Sequence, residues 1–316
     1  MKDKKKLIIL AVVIVAASLL FIGLGLTPKN YEYFLSRRIP KVVAMLLTGG
    51  CIAFSSVVFQ TITHNRILTP NVLGLDSVYV FIQTLIVFLL GGLSGFTVGS
   101  TGNFLLTLSI MIGFSMIFYK VLFKKEMKNI MFLVLMGMVM GTFFSSLSDG
   151  MQFLMDPNEF LMLQDSMFAS FNSMRTKLIV PSAVLVVLAV WYVRKEIRWL
   201  DALSLGREQA INLGVDYDRV VKKMLIVIAV MVSVSTALVG PITFLGILVS
   251  NLARQMMKTY KHSYLILASV LISMALLIVG QFLIERVLGY DIMLSMIINL
   301  IGGVYFLYLL LKENNL

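Results

Sequence analysis

Long uncharged runs recur along the whole chain, separated by short clusters of charge and of Gly, Ser and Pro. A helix rises about 1.5 Å per residue, so about 20 apolar residues cross the roughly 30 Å of bilayer hydrocarbon. Residues 7–26, 42–63 and 292–311 meet that length as single runs. Residues 77–119 form an uncharged stretch too long for one crossing, and the Gly-, Ser- and Thr-rich tract 91–102 divides it into two by turn chemistry. Residues 130–147, 178–193 and 263–284 add three spans, and residues 224–253 add two shorter ones that part at Gly240-Pro241. The pattern predicts an all-α polytopic membrane protein of ten helices.

The two runs around Gly240-Pro241 share 30 residues, short of the roughly 40 that two full crossings require. Pro181 also falls within a span. Such residues persist in a membrane helix only where neighbours or a water-filled cavity satisfy the freed backbone groups. Two readings of Gly240-Pro241 stand: a broken helix beside a transport path, or a tight hairpin at the outer surface.

Composition agrees with the pattern. With 59% hydrophobic residues and a mean hydropathy of +0.93, the chain cannot cover itself with a polar surface, so lipid must solvate it. A secretory signal would also begin with lysines and an apolar run, but this run is of spanning length and ends without a small-residue cleavage site. The single cysteine, Cys51, excludes an internal disulfide and reads as a small buried residue.

The net charge of +11 is mainly a topology signal. With the amino terminus in the cytoplasm, 20 of the 27 Lys and Arg fall inside and 7 outside, which fits the positive-inside rule and puts both termini in the cytoplasm. Nucleic acid is not an expected partner, because no soluble face gathers the basic residues. No linker divides the chain, so residues 1–316 form one domain. Within it, the segment 194–223 is charged, cytoplasmic and too small to fold alone, so it docks on something else. Outside, Asp156-Pro157-Asn158-Glu159 favours a turn or helix start.

The chemistry of catalysis is sparse. His64 and His262 lie at cytoplasmic ends, too few for a metal site and far from Ser115. Asp76 and Asp291 fall on opposite faces, whereas two carboxylates that share a proton must lie within a few Å. No catalytic residue, metal ligand or resident cofactor is expected. The chain lacks the Gly-x-x-x-x-Gly-Lys-Ser/Thr loop of a nucleotide site, and its spans are nearly free of the midplane charges that ion-driven carriers use. If the chain is part of a pump, its motor is another chain. Met131, Met136, Met138 and Met140 gather on the fifth span; packing is the plain reading, and a deformable gate at Met136 and Met140 the functional one. Thr48-Gly49-Gly50, Gly137 and Gly141 suit close helix packing.

Between Leu205 and Arg254 a charged segment runs into the broken spans. It reads Leu205-Gly206-Arg207-Glu208-Gln209-Ala210-Ile211-Asn212-Leu213-Gly214-Val215, then Gly240-Pro241-Ile242-Thr243-Phe244-Leu245-Gly246 and Asn251-Leu252-Ala253-Arg254. With Arg38-Ile39-Pro40-Lys41 and the string from Asn65 to Gly74, these segments resemble, in order, the permeases of iron-siderophore and vitamin B12 ABC importers, the FecCD type. The resemblance implies a vitamin B12 permease-like fold that pairs with a second permease chain, two cytoplasmic ABC ATPase subunits and an extracytoplasmic siderophore-binding protein. ATP would be used by the partner, a ferric siderophore would be the cargo, and the bacterial cytoplasmic membrane the site.

By the same resemblance, Leu205, Gly206, Glu208, Ala210, Leu213 and Gly214 would couple to the ATPase, and Arg38, Lys41 and Arg286 would meet the binding protein. Gly240 and Pro241, with Met136 and Met140, would line the path or its gate. Ser250-Asn251 replaces the family's Pro-His, and Arg66-Ile67 replaces its Pro-Leu. Both departures are similar to a subgroup associated with catecholate siderophores, in which two different permease chains pair. A secondary ion-coupled transporter and an intramembrane enzyme are the rival classes.

Overall fold

A computed structural model describes residues 2–25, 31–91, 100–124, 130–287, 289 and 292–313. Thirteen α-helices follow one another among the described residues. They are α1 (Lys2–Gly23), α2 (Tyr31–Thr63), α3 (Leu75–Leu90), α4 (Thr101–Lys124), α5 (Ile130–Phe153), α6 (Pro157–Met167) and α7 (Ile179–Val193). After α8 (Leu200–Leu203) and α9 (Arg207–Asn212) come α10 (Tyr217–Val239), α11 (Leu245–Met256), α12 (His262–Arg286) and α13 (Leu294–Glu313). Each of the ten spans read from the sequence carries a helix: α1 to α5, α7 and α10 to α13. Among the described residues eight helices are long and apolar enough to cross a membrane, α7 only together with the 3-10 turn that leads into it (Thr176–Val193, 18 residues); α3 and α11, with 16 and 12 residues, are shorter.

The bundle has a centre and a rim. In α2 and α10 72% of the most apolar stretch is buried, against 17% in α1 and 22% in α5 and α13. α2 packs against α10, α11 and α12; α1 lies on α12 and α3 on α5. Contact at the α3–α5 seam is close because side chains are missing there. A Cβ at Gly137 would stand 2.7 Å from Leu73 Cα, and one at Gly74 2.9 Å from Gly141 Cα. Small residues of this kind let membrane helices gain dispersion contact where no hydrophobic effect drives them together.

Helix boundaries exceed the apolar runs. α2 begins at Tyr31 and runs through Pro40, eleven residues before the apolar run at Val42. Hydropathy marks the stretch that meets lipid, not where backbone hydrogen bonding stops. α6, the turn or start expected at Asp156-Pro157, is a helix of 11 residues whose Asp156 Oδ1 accepts from the Asn158 amide at 2.9 Å.

The bundle has two distinguishable ends. At the basic end the Lys258 amide donates to Asp3 Oδ1 at 3.3 Å, Asn251 Nδ2 to the Arg66 carbonyl at 3.2 Å and the His262 amide to Asp201 Oδ1 at 2.7 Å. These bonds gather the amino terminus, the loop after α2, the 194–216 segment and the start of α12. At the opposite end the tip of α1, the start of α2, the segment after α6 and the end of α12 meet.

Candidate functional site

α10 stops at Val239, and Gly240 turns the chain at φ 101°. The Val239 carbonyl accepts from the Ser170 amide at 2.8 Å, and a Cβ at Gly240 would lie 2.9 Å from Ala169 Cα. Residues 240–244 then run as irregular backbone inside the protein, with Pro241 and Ile242 buried. Side chains distant in sequence satisfy that backbone: Asn71 Nδ2 donates to the Thr243 carbonyl at 3.4 Å, and the Phe244 amide donates to Asn299 Oδ1 at 3.5 Å. Thr243 Oγ1 donates to Asp76 Oδ2 at 3.3 Å. Of the two sequence readings of Gly240-Pro241, the surface hairpin gives way to a break inside the bundle.

α11 covers only about 18 Å from the break to the basic end at 1.5 Å per residue. Thr243 and Asp76 therefore sit deep, whereas the sequence reading set Asp76 at one membrane face; Asp291 lies outside the described residues. Asp76 Oδ1 is buried and accepts no hydrogen bond. Beside the break is a cavity of about 290 Å³ lined by Tyr79, Gln83, Asn103, Ser166, Phe168 and Gly240. Gln83 Nε2 donates to Asn103 Oδ1 and Thr107 Oγ1, both at 2.9 Å, and Asn103 Nδ2 returns a bond to Gln83 Oε1 at 2.9 Å. This polar seam between α3 and α4 escaped sequence reasoning. Its signal was two amides standing in otherwise apolar runs.

Leu200, Leu203, Ala210 and Val215 are buried and seat α8 and α9 on the basic end. Gly206 and Gly214, at φ 106° and 82°, bound α9, which takes up six of the seven residues the glycines enclose. At its end the Gly214 amide donates to the Ile211 carbonyl at 2.9 Å and the Val215 amide to the Ala210 carbonyl at 3.0 Å. Arg207 Nη2 grips both Asp218 oxygens at 3.1 and 3.2 Å, fixing α9 to the start of α10. Of the coupling residues read from sequence, Ala210 faces the bundle, Gly206 is half-buried, and Leu205, Glu208, Leu213 and Gly214 are exposed. With Ile211, Leu205 and Leu213 are apolar side chains left 48 to 61% exposed at the basic end.

The three cations expected to meet a binding protein are bonded within the chain. Arg38, buried, donates through Nη1 to the carbonyls of Ile22 and Leu24 at 2.8 and 2.7 Å. Arg286 Nη2 donates to the same Leu24 carbonyl at 2.7 Å, so two guanidiniums serve the last carbonyls of α1. Lys41 Nζ donates to Glu285 Oε1 at 2.9 Å and Asn172 Oδ1 at 2.6 Å. Arg38, Lys41 and Glu285 line a cavity of about 810 Å³ that also carries Arg37, Arg175 and Lys177. Those last three are exposed and were not singled out from the sequence, although they are outer cations in its topology.

Met136 and Met140 are half-buried on α5, at the edge of a face whose Leu135, Met138, Val139 and Phe143 are exposed. Cys51 is buried and free. No group of three or more His, Cys, Asp or Glu stands together among the described residues.

A lipid-solvated bundle with broken backbone at its heart, a small seated helix at one end and a cationic rim at the other has the architecture of a membrane transport subunit. The pattern of the FecCD transport family matches residues 6–312, and the chain belongs to that family. It is a transport component rather than an enzyme. It is 57% identical over 295 residues to the petrobactin import system permease protein YclO of Bacillus subtilis (strain 168), covering 93% of this chain and 92% of that one. To the petrobactin import system permease protein FatC of Bacillus anthracis it is 35% identical over 283 residues, covering 89% and 79%. The fold matches an inward-facing structure of a metal-chelate type ABC transporter with a TM-score of 0.81 and 21% identity, over 98% of this chain and 99% of that one.

Proposed function

We propose that this chain is the transmembrane permease subunit of an ATP-driven importer that carries a ferric siderophore, of catecholate type, inward by alternating access. The observation that carries the reading is the 57% identity, along 93% of the chain, to a permease of a petrobactin import system. In this reading the basic end and both termini face the cytoplasm. Leu205, Ile211 and Leu213, with Glu208 and Gly214 exposed beside them, enter a groove on an ABC ATPase, which binds and hydrolyses the ATP. Ala210 and Gly206 hold these side chains in place, and motion enters the bundle through α10.

The opposite end faces an extracytoplasmic siderophore-binding protein. Arg38, Lys41 and Arg286 brace that rim, and with exposed Arg37, Arg175 and Lys177 they offer positive charge to acidic side chains, raising encounter rate and fixing register. The irregular backbone at Gly240-Pro241 and the edge marked by Met136 and Met140 line the path. A second, homologous permease chain covers the exposed faces of α5 and α13. The departures at Ser250-Asn251 and Arg66-Ile67 favour a heteromeric pair.

The test is transport by the chain reconstituted in proteoliposomes with its second permease, ATPase and binding protein. Uptake of a ferric catecholate should require ATP and survive ionophores that collapse ion gradients. Uptake without ATP that vanishes with the ion gradient would establish the secondary-carrier reading instead.

A further inference from the structure

At the basic end, the end of α2, the loop after it, α11 and the start of α12 surround a cavity of about 420 Å³. Gln60, His64, Arg66, Arg254, Tyr260 and His262 are among its walls. Arg66 is exposed at the mouth and Arg254 half-buried further in, while Gln60, 2% exposed, lies deepest. Among the described residues no carboxylate lines it. The adjacent acid, Asp201, is already engaged: one of its oxygens accepts from the His262 amide and meets His262 Nδ1, both at 2.7 Å.

Three polar atoms in these walls lack the partners that burial demands. Arg254 Nε is buried with no hydrogen-bond partner, and so are both amide atoms of Gln60. Arg66 and Arg254 repel one another. Yet the chain holds them together, because Asn251, one turn before Arg254 on α11, donates its side-chain amide to the Arg66 carbonyl at 3.2 Å and to the Ile247 carbonyl at 3.0 Å. Two guanidiniums lining one cavity with an unsatisfied amide, the adjacent acid Asp201 being taken up by His262, are destabilising unless an anion joins them. Guanidinium forks match oxyanions two bonds at a time, and the Gln60 amide and the Thr259 and Tyr260 hydroxyls add donors suited to the remaining oxygens.

We propose that this cavity binds a phosphate-class oxyanion, held between Arg66 and Arg254 with Gln60 beneath it. Inorganic phosphate and the phosphodiester headgroup of an anionic phospholipid present the same chemistry here. The site stands on its own geometry, independent of what the chain transports.

The experiment uses the purified full chain and an Arg66→Gln, Arg254→Gln double variant. In one arm, in neutral detergent stripped of phospholipid, the unfolding midpoint is followed against sodium phosphate and against sodium chloride of equal ionic strength. In the other, phosphatidylcholine nanodiscs are compared with discs containing phosphatidylglycerol, and retained lipid is counted by native mass spectrometry. Wild type should show a saturable rise with phosphate, or selective retention of phosphatidylglycerol; the arm that responds names the source. The double variant should lose that response, and its midpoint in chloride should be no lower than that of wild type. Should it fail to fold, Gln60→Leu takes its place and should weaken the response at least threefold. A wild type indifferent to both probes, or variants that respond as wild type does, would overturn the site and leave a water-filled cavity. Loss of ATPase binding by the variants with no response to either probe would overturn it too, in favour of a protein carboxylate.

Discussion

A β-carbon at Gly137 would stand 2.7 Å from the backbone of Leu73, and no side-chain rotation relieves a clash with backbone. Gly137→Ala should therefore lower stability by about 1–3 kcal/mol, as overpacking does. Gly113→Ala, where a Cβ meets nothing within 4 Å, should leave stability unchanged. Thermal unfolding of the two variants in detergent checks this, and equal midpoints would remove the packing argument. The Lys41–Glu285 pair gives a second prediction, since its side chains are 16% and 7% exposed. Lys41→Met should cost about 3 kcal/mol by removing the cation paired with a buried carboxylate, which keeps its bond from Gln281 Nε2 at 2.9 Å, and the Lys41→Met, Glu285→Met pair should recover most of it. Chemical denaturation of the single and double variants measures both. The packing role of Gly137 and Gly141 was readable from small residues spaced along one apolar run. The bonds of Arg38, Lys41 and Arg286 were not, because their partners at Leu24, Asn172 and Glu285 are near only once the helix ends have met.

Among the elements, α9 is the one most open to test. A Cβ at Gly214 meets nothing within 4 Å, so a larger side chain there disturbs the exposed surface and the left-handed turn without pressing on the bundle. Gly214→Leu should leave the chain inserted and paired with its permease partner but abolish chelate uptake and substrate-stimulated ATP hydrolysis. Normal transport by the Gly206→Leu, Gly214→Leu double variant would show that α9 is not the coupling element. The two turn glycines were plain in the sequence, whereas the depth of the Gly240 break was not. Thirty residues shared between two spans fit a hairpin or a break equally well; Asn71, Asp76, Ser170 and Asn299 decide it, and none lies near Gly240 in sequence.

For the molecule as a whole, lipid explains why ten helices could be read so directly. Backbone groups in hydrocarbon must be satisfied within their own segment, so an apolar run of spanning length has little choice but helix. Which run lies central and which peripheral depends on side-chain fit rather than on apolar character, since the rim helix α1 is more apolar than the central α2. Orientation is open to a direct check. Cys51→Ser removes the single cysteine, after which cysteines placed singly at Asn158 and Gln209 report the two ends. An impermeant thiol reagent on intact cells should label the first alone, and labelling of the second alone would invert the topology.

α1 is moored at its extremities. At one end Lys6 reaches the Met256 carbonyl and Asp3 meets the Lys258 amide; at the other Arg38 and Arg286 hold its last carbonyls. Between those moorings Ile8, Ile9, Val12, Val15 and Leu19 are 59 to 65% exposed, with little packing against the rest of the chain. The helix is thus free to exchange one aliphatic residue for another along its middle while being strict about its two tips. Permuting those five residues among themselves should leave yield and unfolding midpoint unchanged. Arg38→Gln with Arg286→Gln should instead loosen the tip, seen as faster amide exchange at residues 20–25. Protection there equal to wild type would mean that its lie along α12 alone keeps the helix in place.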